Sequence, residues 1–226
     1  MIIATYIDHM GSDLSVVNAA RVSFGKKSEW ESTTNHKTGS ASHKILSTRD
    51  QKLIKYLAKH KHLSPFGHCF VSFHVKAPIA VARQLVKHKF LRWNEISRRY
   101  VDNDPQFHEP ENLRSKSSDK KQGSGDPIEK QHTLQEVIRH QGIESAKAYK
   151  YLLNMGVCEE QARFVLPTNT FTEWYWSGSL DAFADMCRLR VADDTQQETR
   201  QVAEQIDTVM YELFPESWDA LMWKKQ

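Results

Sequence analysis

Three short stretches rich in β-branched and aromatic residues limit what this chain can fold into. Met-Ile-Ile-Ala-Thr-Tyr-Ile-Asp opens it, His-Cys-Phe-Val-Ser-Phe-His-Val-Lys occupies 68–76, and an alternating, aromatic-rich run covers 168–177. Such side chains pack well on a pleated, half-buried surface, so each stretch is expected to be a strand. Helical patterning dominates elsewhere. Asp13 is read as the N-cap of a short helix carrying Leu14, Val17 and Ala20. Thr48 or Asp50 starts a helix through Lys59 with Leu53, Ile54 and Leu57 on its apolar stripe. Pro78 suits a first helical turn, because its missing N–H costs nothing there. That helix is expected to run to about Lys89, with Ile79, Ala82, Leu85 and Val86 making an apolar face. Further helices are expected at 127–154 (with Gly142 as a weak point), 157–166, 180–191 and 194–214. The class is therefore α+β, mixed and helix-rich, with no internal repeat or heptad run.

Two polar segments interrupt this pattern. Residues 26–47 read as an exposed loop. Residues 102–126 hold Pro105, Pro110, Gly123 and Gly125 together with Arg114, Lys116, Lys120 and Lys121. A structureless segment of that length is either a solvated loop or a cover for a ligand.

Composition narrows the function classes. At 226 residues, the length suits one domain with a full core or two small ones. Apolar runs such as 77–82 fall far short of the roughly 20 residues that span a bilayer, and the N-terminus lacks the pattern of a signal peptide. A soluble intracellular protein is expected. The 31 basic and 28 acidic residues give a net charge of +3, which argues against a general nucleic-acid binder but permits a local anion site. Cys69, Cys158 and Cys187 are an odd, scattered set among apolar neighbours, read as buried small hydrophobes rather than as a disulfide framework or zinc site.

The densest chemistry lies in 83–100, Arg-Gln-Leu-Val-Lys-His-Lys-Phe-Leu-Arg-Trp-Asn-Glu-Ile-Ser-Arg-Arg-Tyr. Six lysines and arginines crowd this stretch, with His88 a seventh cation if protonated. On the expected helix Gln84 and His88 share a face, as do Arg83 and Lys87. Beyond it Glu95, Ser97 and Arg99 alternate, so an extended backbone aims them the same way. Cations beside a hydroxyl donor suit a phosphate, whereas a solvated basic helix end accounts for the charges equally well.

The motifs resolve more. Lys87-His88-Lys89 followed by Asn94-Glu95 and Ser97-x-Arg99-Tyr100 resembles the signature of the flavin-dependent thymidylate synthases, in which Arg-His-Arg precedes a Ser by seven residues. Asp13 to Phe24, the His62-Leu-Ser-Pro-Phe-Gly-His68 turn, Phe73 to Ile79, Glu160 to Pro167 and Leu189-Arg190 resemble further blocks of that family, in order along most of the chain.

The resemblance implies a helix-rich subunit around a small central sheet, a single domain over 1–226, and a homotetramer with active sites at subunit junctions. It implies reductive methylation of dUMP to dTMP, with methylenetetrahydrofolate as carbon donor and NADPH reducing FAD. By matched position the dUMP set is Gln84, Ser97, Arg99, Arg163 and Arg190. Arg190, Ser97 and His62 lie nearest the chemistry. The FAD set is Ser23, Ser64, Lys87, His88, Lys89, Glu95, Asp185 and Asp194. Arg99 and Arg163 can clamp phosphate through their forks, and Arg190 can stabilise charge developing on the pyrimidine. No cysteine nucleophile, metal, nucleic-acid partner or membrane is implied, and the expected location is the cytoplasm, or a host cytoplasm for a viral protein.

The chain departs from the family pattern on the flavin side. Lys87 and Lys89 replace arginines, Asp185 and Asp194 stand where relatives carry Asn and His, and Gly67 replaces an acidic residue. Lysine keeps the charge but loses the planar fork, so altered flavin contacts are implied there. The nearest rival is a flavin-dependent hydroxymethylase, or a methylase of another pyrimidine nucleotide, since fold does not fix function. A second rival is a non-catalytic nucleotide, nucleic-acid or metal-binding module. His60, His62, His68 and His74 suggest a metal, but the expected strand separates His68 from His74 by roughly 20 Å, too far for shared ligation.

Overall fold

The computed structural model describes residues 1–33, 43–117 and 123–222. Strand β1 (Ile3–Met10) leads into α1 (Asp13–Arg21), and a short ribbon follows, β2 (Glu31–Thr33) with β3 (His43–Ile45). Helix α2 (Thr48–Lys59) precedes β4 (Phe70–Pro78), α3 (Ile79–Leu85) and β5 (Arg92–Glu95). After the long polar segment come α4 (Gln131–Asn154), α5 (Glu159–Ala162), β6 (Phe171–Ser179), α6 (Leu180–Arg190), α7 (Gln197–Leu213) and α8 (Pro215–Met222).

One antiparallel sheet, ordered β1-β4-β6-β5, organises the rest. Its alternation is visible residue by residue. Val71, Phe73, Val75 and Ala77 of β4 and Trp174 and Trp176 of β6 are buried, while Ser72, His74, Lys76, Glu173, Tyr175 and Ser177 take the other face. Helices α6 and α7 cover the apolar side. Phe183 of α6 meets Phe73 and Trp176 edge-on, with ring centroids 5.3 and 5.6 Å apart. The edge strand β5 is held by its one inward side chain, Trp93, stacked on Trp174 at 4.3 Å. Just before it, Leu91 crosses directly over Gly178, where a Cβ would lie 2.3 Å from the leucine Cδ2. A glycine in β6 therefore lets the signature segment approach the sheet.

Several sequence expectations shift. Ser12, not Asp13, is the N-cap of α1, and its N–H is bound by the Ser15 hydroxyl at 3.1 Å. Asp13 is buried and caps α8 instead, accepting from the Glu216 and Ser217 N–H groups at 3.1 and 2.9 Å. Burial raises the Asp13 carboxyl above its ordinary value, against the lowering effect of these bonds. The helix expected to reach Lys89 ends at Leu85. Phe90 has φ +67°, a left-handed conformation that no helix continues. The strands at 68–76 and 168–177 run instead over Phe70–Pro78 and Phe171–Ser179, and the first strand over Ile3–Met10. In 26–47 the ribbon replaces part of the expected loop; residues 34–42 lie outside the described residues. Helix α4 starts at Gln131 rather than 127, the helix expected at 157–166 is α5 plus a 3₁₀ turn at Arg163–Val165, and α7 starts at Gln197. Cys158 is exposed, whereas Cys69 and Cys187 are buried as expected.

Among its described residues, the polar segment at 102–126 is exposed at many positions but fastened at others. Phe107 sits on Gly142 of α4, where a Cβ would come within 3.0 Å of the ring. That contact explains a glycine in mid-helix. Gln131 exchanges bonds with the Leu113 N–H and C=O at 2.6 and 2.9 Å, and Gln135 donates to the Pro110 and Glu111 carbonyls. Lys116 is exposed; Lys120 and Lys121 lie outside the described residues.

Candidate active site

Two chain segments about a hundred residues apart meet where α3 and α6 end. Arg190, in the last turn of α6, donates from Nε to Nε2 of His88, 2.9 Å away. An accepting Nε2 requires a neutral imidazole with its proton on Nδ1. Burial pushes the His88 pKa down to about 4, the Arg190 charge pushes the same way, and Asp185 opposes both. Burial also holds the Arg190 guanidinium below its ordinary value, yet an arginine stays charged in any working range. A neutral base thus props a half-buried cation.

This geometry carries a pH signature. Unfolded, His88 titrates near 6.5, and folded, near 4. Between these values the unfolded chain takes up the proton first, so this group's contribution to stability rises with pH across the window and is flat outside it. Comparing Tm against pH for the native protein and His88→Gln should give a difference that changes between about pH 4 and 6.5 and then levels. A difference that is constant throughout would show an unperturbed histidine.

Gln84 belongs to the same end of α3. Its Oε1 accepts from the Thr199 hydroxyl at 3.1 Å, and its Nε2 donates to Gln196 Oε1. Because α3 stops at Leu85, Gln84 and His88 do not share a helix face, nor do Arg83 and Lys87. Lys87 and Lys89 project from the turn as exposed cations.

The second half of the signature folds differently from an extended run. β5 ends at Glu95, and 97–100 form a turn closed by Tyr100 N–H on the Ser97 carbonyl at 3.0 Å. Ser97 and Arg99 still meet, since Arg99 Nε donates to the Ser97 hydroxyl at 3.2 Å. Glu95 accepts from the Thr172 hydroxyl at 2.7 Å and from Trp93 Nε1 at 3.1 Å. Glu95 and Arg163 line one cleft of about 370 Å³, together with Arg83, Arg98, Lys76 and Glu173. Among the described residues, Arg163 bonds through Nε alone, to the Glu160 carbonyl at 3.2 Å.

Ser23, Ser64 and His62 line a separate, wider cleft of about 840 Å³ between α1 and α2. Arg21, Lys26, Arg49 and Lys52 supply cations there, and Phe24 and Tyr56 supply exposed rings. Asp185 lines a third cleft with Lys59, Lys61 and Arg188, and pairs with Arg188. Asp194 is exposed just before α7. The chain therefore sets His88 against Arg190, Gln84 against Gln196 and Thr199, and Ser97 against Arg99, and leaves the Ser23–Ser64–His62 group on a different cleft. Among the described residues no group of three or more His, Cys, Asp or Glu is arranged to hold a metal. Sequence reasoning missed Gln196, Glu198 and Thr199, because a polar side chain at a helix start carries no chemical signal until its partner is known, and it named Arg114 only as one cation of the polar segment.

Fold and motif order together place the chain in a class of nucleotide enzymes. Residues 5–216 match the thymidylate synthase complementing protein family, and the chain belongs to it. Its relatives include the flavin-dependent thymidylate synthase of Thermus thermophilus, 39% identical over 95% of this chain and 73% of that protein. The flavin-dependent thymidylate synthase of Thermosipho africanus is 36% identical over 96% of this chain and 89% of that one. Among solved structures, the UMP/dUMP methylase PolB from Streptomyces cacaoi bound with 5-Br dUMP superimposes with a TM-score of 0.81 at 28% identity, over 97% of this chain and 94% of PolB. No helix among the described residues is long and apolar enough to cross a membrane.

Proposed function

We propose that this protein methylates dUMP to dTMP as a flavin-dependent thymidylate synthase. The observation that carries the reading is the family match across 5–216, and the motif resemblance assigns the nucleotide to Gln84, Ser97, Arg99, Arg163 and Arg190. Arg99 and Arg163 bind the phosphate, with Ser97 adding a hydrogen bond, and Gln84 contacts the nucleotide. Arg190, propped by His88, faces the pyrimidine and stabilises negative charge developing on the ring. His62, on a different cleft of the same chain, reaches the reacting centre from a second copy.

The chemistry of the wide cleft fits a flavin dinucleotide: cations for a diphosphate, the Ser23 and Ser64 hydroxyls, and the Phe24 and Tyr56 rings for a planar group. A flavin held by these residues would supply hydride chemistry, with NADPH as its reductant and methylenetetrahydrofolate as the carbon donor. Lys87, His88, Lys89, Glu95, Asp185 and Asp194 complete the contacts. They lie off that cleft within one subunit, which favours a homotetramer whose sites are assembled from several copies. The whole chain acts as one domain in the cytoplasm.

The test is product mass from purified protein with dUMP, methylenetetrahydrofolate, NADPH and FAD, beside an absorption spectrum after dialysis. dTMP formation and flavin bands are expected. 5-Hydroxymethyl-dUMP as product, or no flavin retention and no turnover, would overturn the reading. The likeness to a UMP/dUMP methylase favours one specific alternative, UMP as substrate, so UMP belongs in the same assay.

A further inference from the structure

A chain of hydrogen bonds runs from the polar segment at 102–117 into the nucleotide-contacting end of α3. Arg114 donates from Nη2 to both oxygens of Glu198, at 2.9 and 3.0 Å, from Nη1 to Gln197 Oε1 at 2.6 Å, and from Nε to the Ser124 hydroxyl at 2.7 Å. Glu198, buried at the start of α7, accepts from Gln196 Nε2 at 3.0 Å. Gln196 Oε1 accepts from Gln84 Nε2, and the fully buried Thr199 donates its hydroxyl to Gln84 Oε1 at 3.1 Å.

We propose that Gln196 and Glu198, anchored by Arg114, are positioning residues that fix which way the Gln84 amide faces the nucleotide. Polarity is forced along this chain of bonds. An arginine only donates, and an ionised carboxylate only accepts. Burial pushes the Glu198 carboxyl up, but the bonds from Arg114 and Gln196 bring it below its ordinary value, so it is ionised at neutral pH. Gln196 must then turn its NH₂ toward Glu198 and its oxygen toward Gln84. Gln84 must in turn direct NH₂ toward Gln196, leaving its oxygen to Thr199. Two glutamine amides, each of which flips freely in isolation, are locked from a charge that cannot reverse. The second Gln84 Nε2–H remains as a donor for a carbonyl or phosphate oxygen. Networks of this kind also couple their members energetically. The proposal rests on the reading of Gln84 as a nucleotide contact.

Gln196→Met breaks the relay at similar volume and leaves the Arg114–Glu198 pair intact. Calorimetric titration of dUMP into FAD-supplemented wild type, Gln84→Ala, Gln196→Met and the double variant separates the possibilities. Gln84→Ala should weaken binding about tenfold and Gln196→Met about fivefold, with the double variant no weaker than Gln84→Ala alone. In turnover, Gln196→Met should raise KM for dUMP while kcat changes less than about twofold. Glu198→Gln, which frees both amides to flip, should give the same pattern without removing side-chain volume. Wild-type affinity in Gln196→Met, or effects of Gln84→Ala and Gln196→Met that multiply, would overturn the relay. Wild-type affinity in Gln84→Ala would overturn the Gln84 assignment itself, and the relay with it.

Discussion

Replacing Arg190 with alanine is expected to lower kcat for dTMP formation by about two to three orders of magnitude, the usual cost of removing one preorganised charge from a developing anion. The protein should remain folded, because Arg190 is half-buried at the end of α6 and, among the described residues, its side-chain bond is to His88 Nε2 at 2.9 Å. Loss of that cation also removes one of the effects that lower the His88 pKa, so His88 should titrate closer to its ordinary 6.5 in the variant, although burial still opposes it. Arg190→Lys keeps the charge without the planar fork, and it should recover only part of the rate. Single-turnover kinetics of dTMP formation at saturating dUMP make the comparison. A rate for Arg190→Ala within about threefold of wild type would remove Arg190 from the chemical step.

The largest expected effect on stability lies elsewhere, at the joint between α1 and α2. Arg21 donates from Nε to Asp50 Oδ1 at 3.0 Å and pairs with it through Nη2, with the Asp50 side chain only 4% exposed. Ser28 and Ser47 donate their hydroxyls to the same carboxylate at 3.0 and 2.8 Å. Arg21→Met leaves a buried anion without its cation, which costs about 3 kcal/mol, the lower part of the usual range because the two hydroxyls remain. For a chain of this size that is a fall of roughly 6–12 °C in Tm.

The pH dependence has a definite sign. Although burial raises it, the partners together hold the Asp50 carboxyl below its ordinary 3.8, Arg21 foremost among them. Its contribution is therefore full above 3.8 and is lost as pH falls through the lower folded value. Without Arg21 the buried carboxyl moves upward and takes a proton more readily. The gap in Tm between wild type and Arg21→Met should therefore narrow in acid, and a gap that widens would contradict the ion-pair account. Arg21 also lines the cleft with Ser23, Ser64 and His62, so loosening this joint should weaken FAD retention as well.

Much of the fold was legible because its rules are local. Alternating apolar residues marked β4 and β6, the run of Leu53, Ile54 and Leu57 marked α2, and Pro78 marked where a strand hands over to a helix. The β2–β3 ribbon escaped that reading, and so did β5 and α8. β5 has a single inward side chain, Trp93, too little for a period to show; it is a strand because β6 pairs with it. α8 begins at Pro215, but the acceptor that satisfies its first N–H groups is Asp13, some two hundred residues earlier. An aspartate just before a helix reads as that helix's own cap, so Asp13 drew the wrong local assignment.

The candidate site divides the same way. Motif order along the chain was enough to single out Gln84, His88, Ser97, Arg99, Arg163 and Arg190, because residue type and spacing persist in sequence whatever the chain does in space. Only the tertiary structure ended α3 at Leu85, turned Ser97 back to Arg99, set Arg190 against His88, and ran Arg114 through Glu198 and Gln196 to Gln84. Periodicity encodes which side of an element faces the core. It holds no record of which distant side chain waits on the other side, and the directional bonds that orient a site are made there.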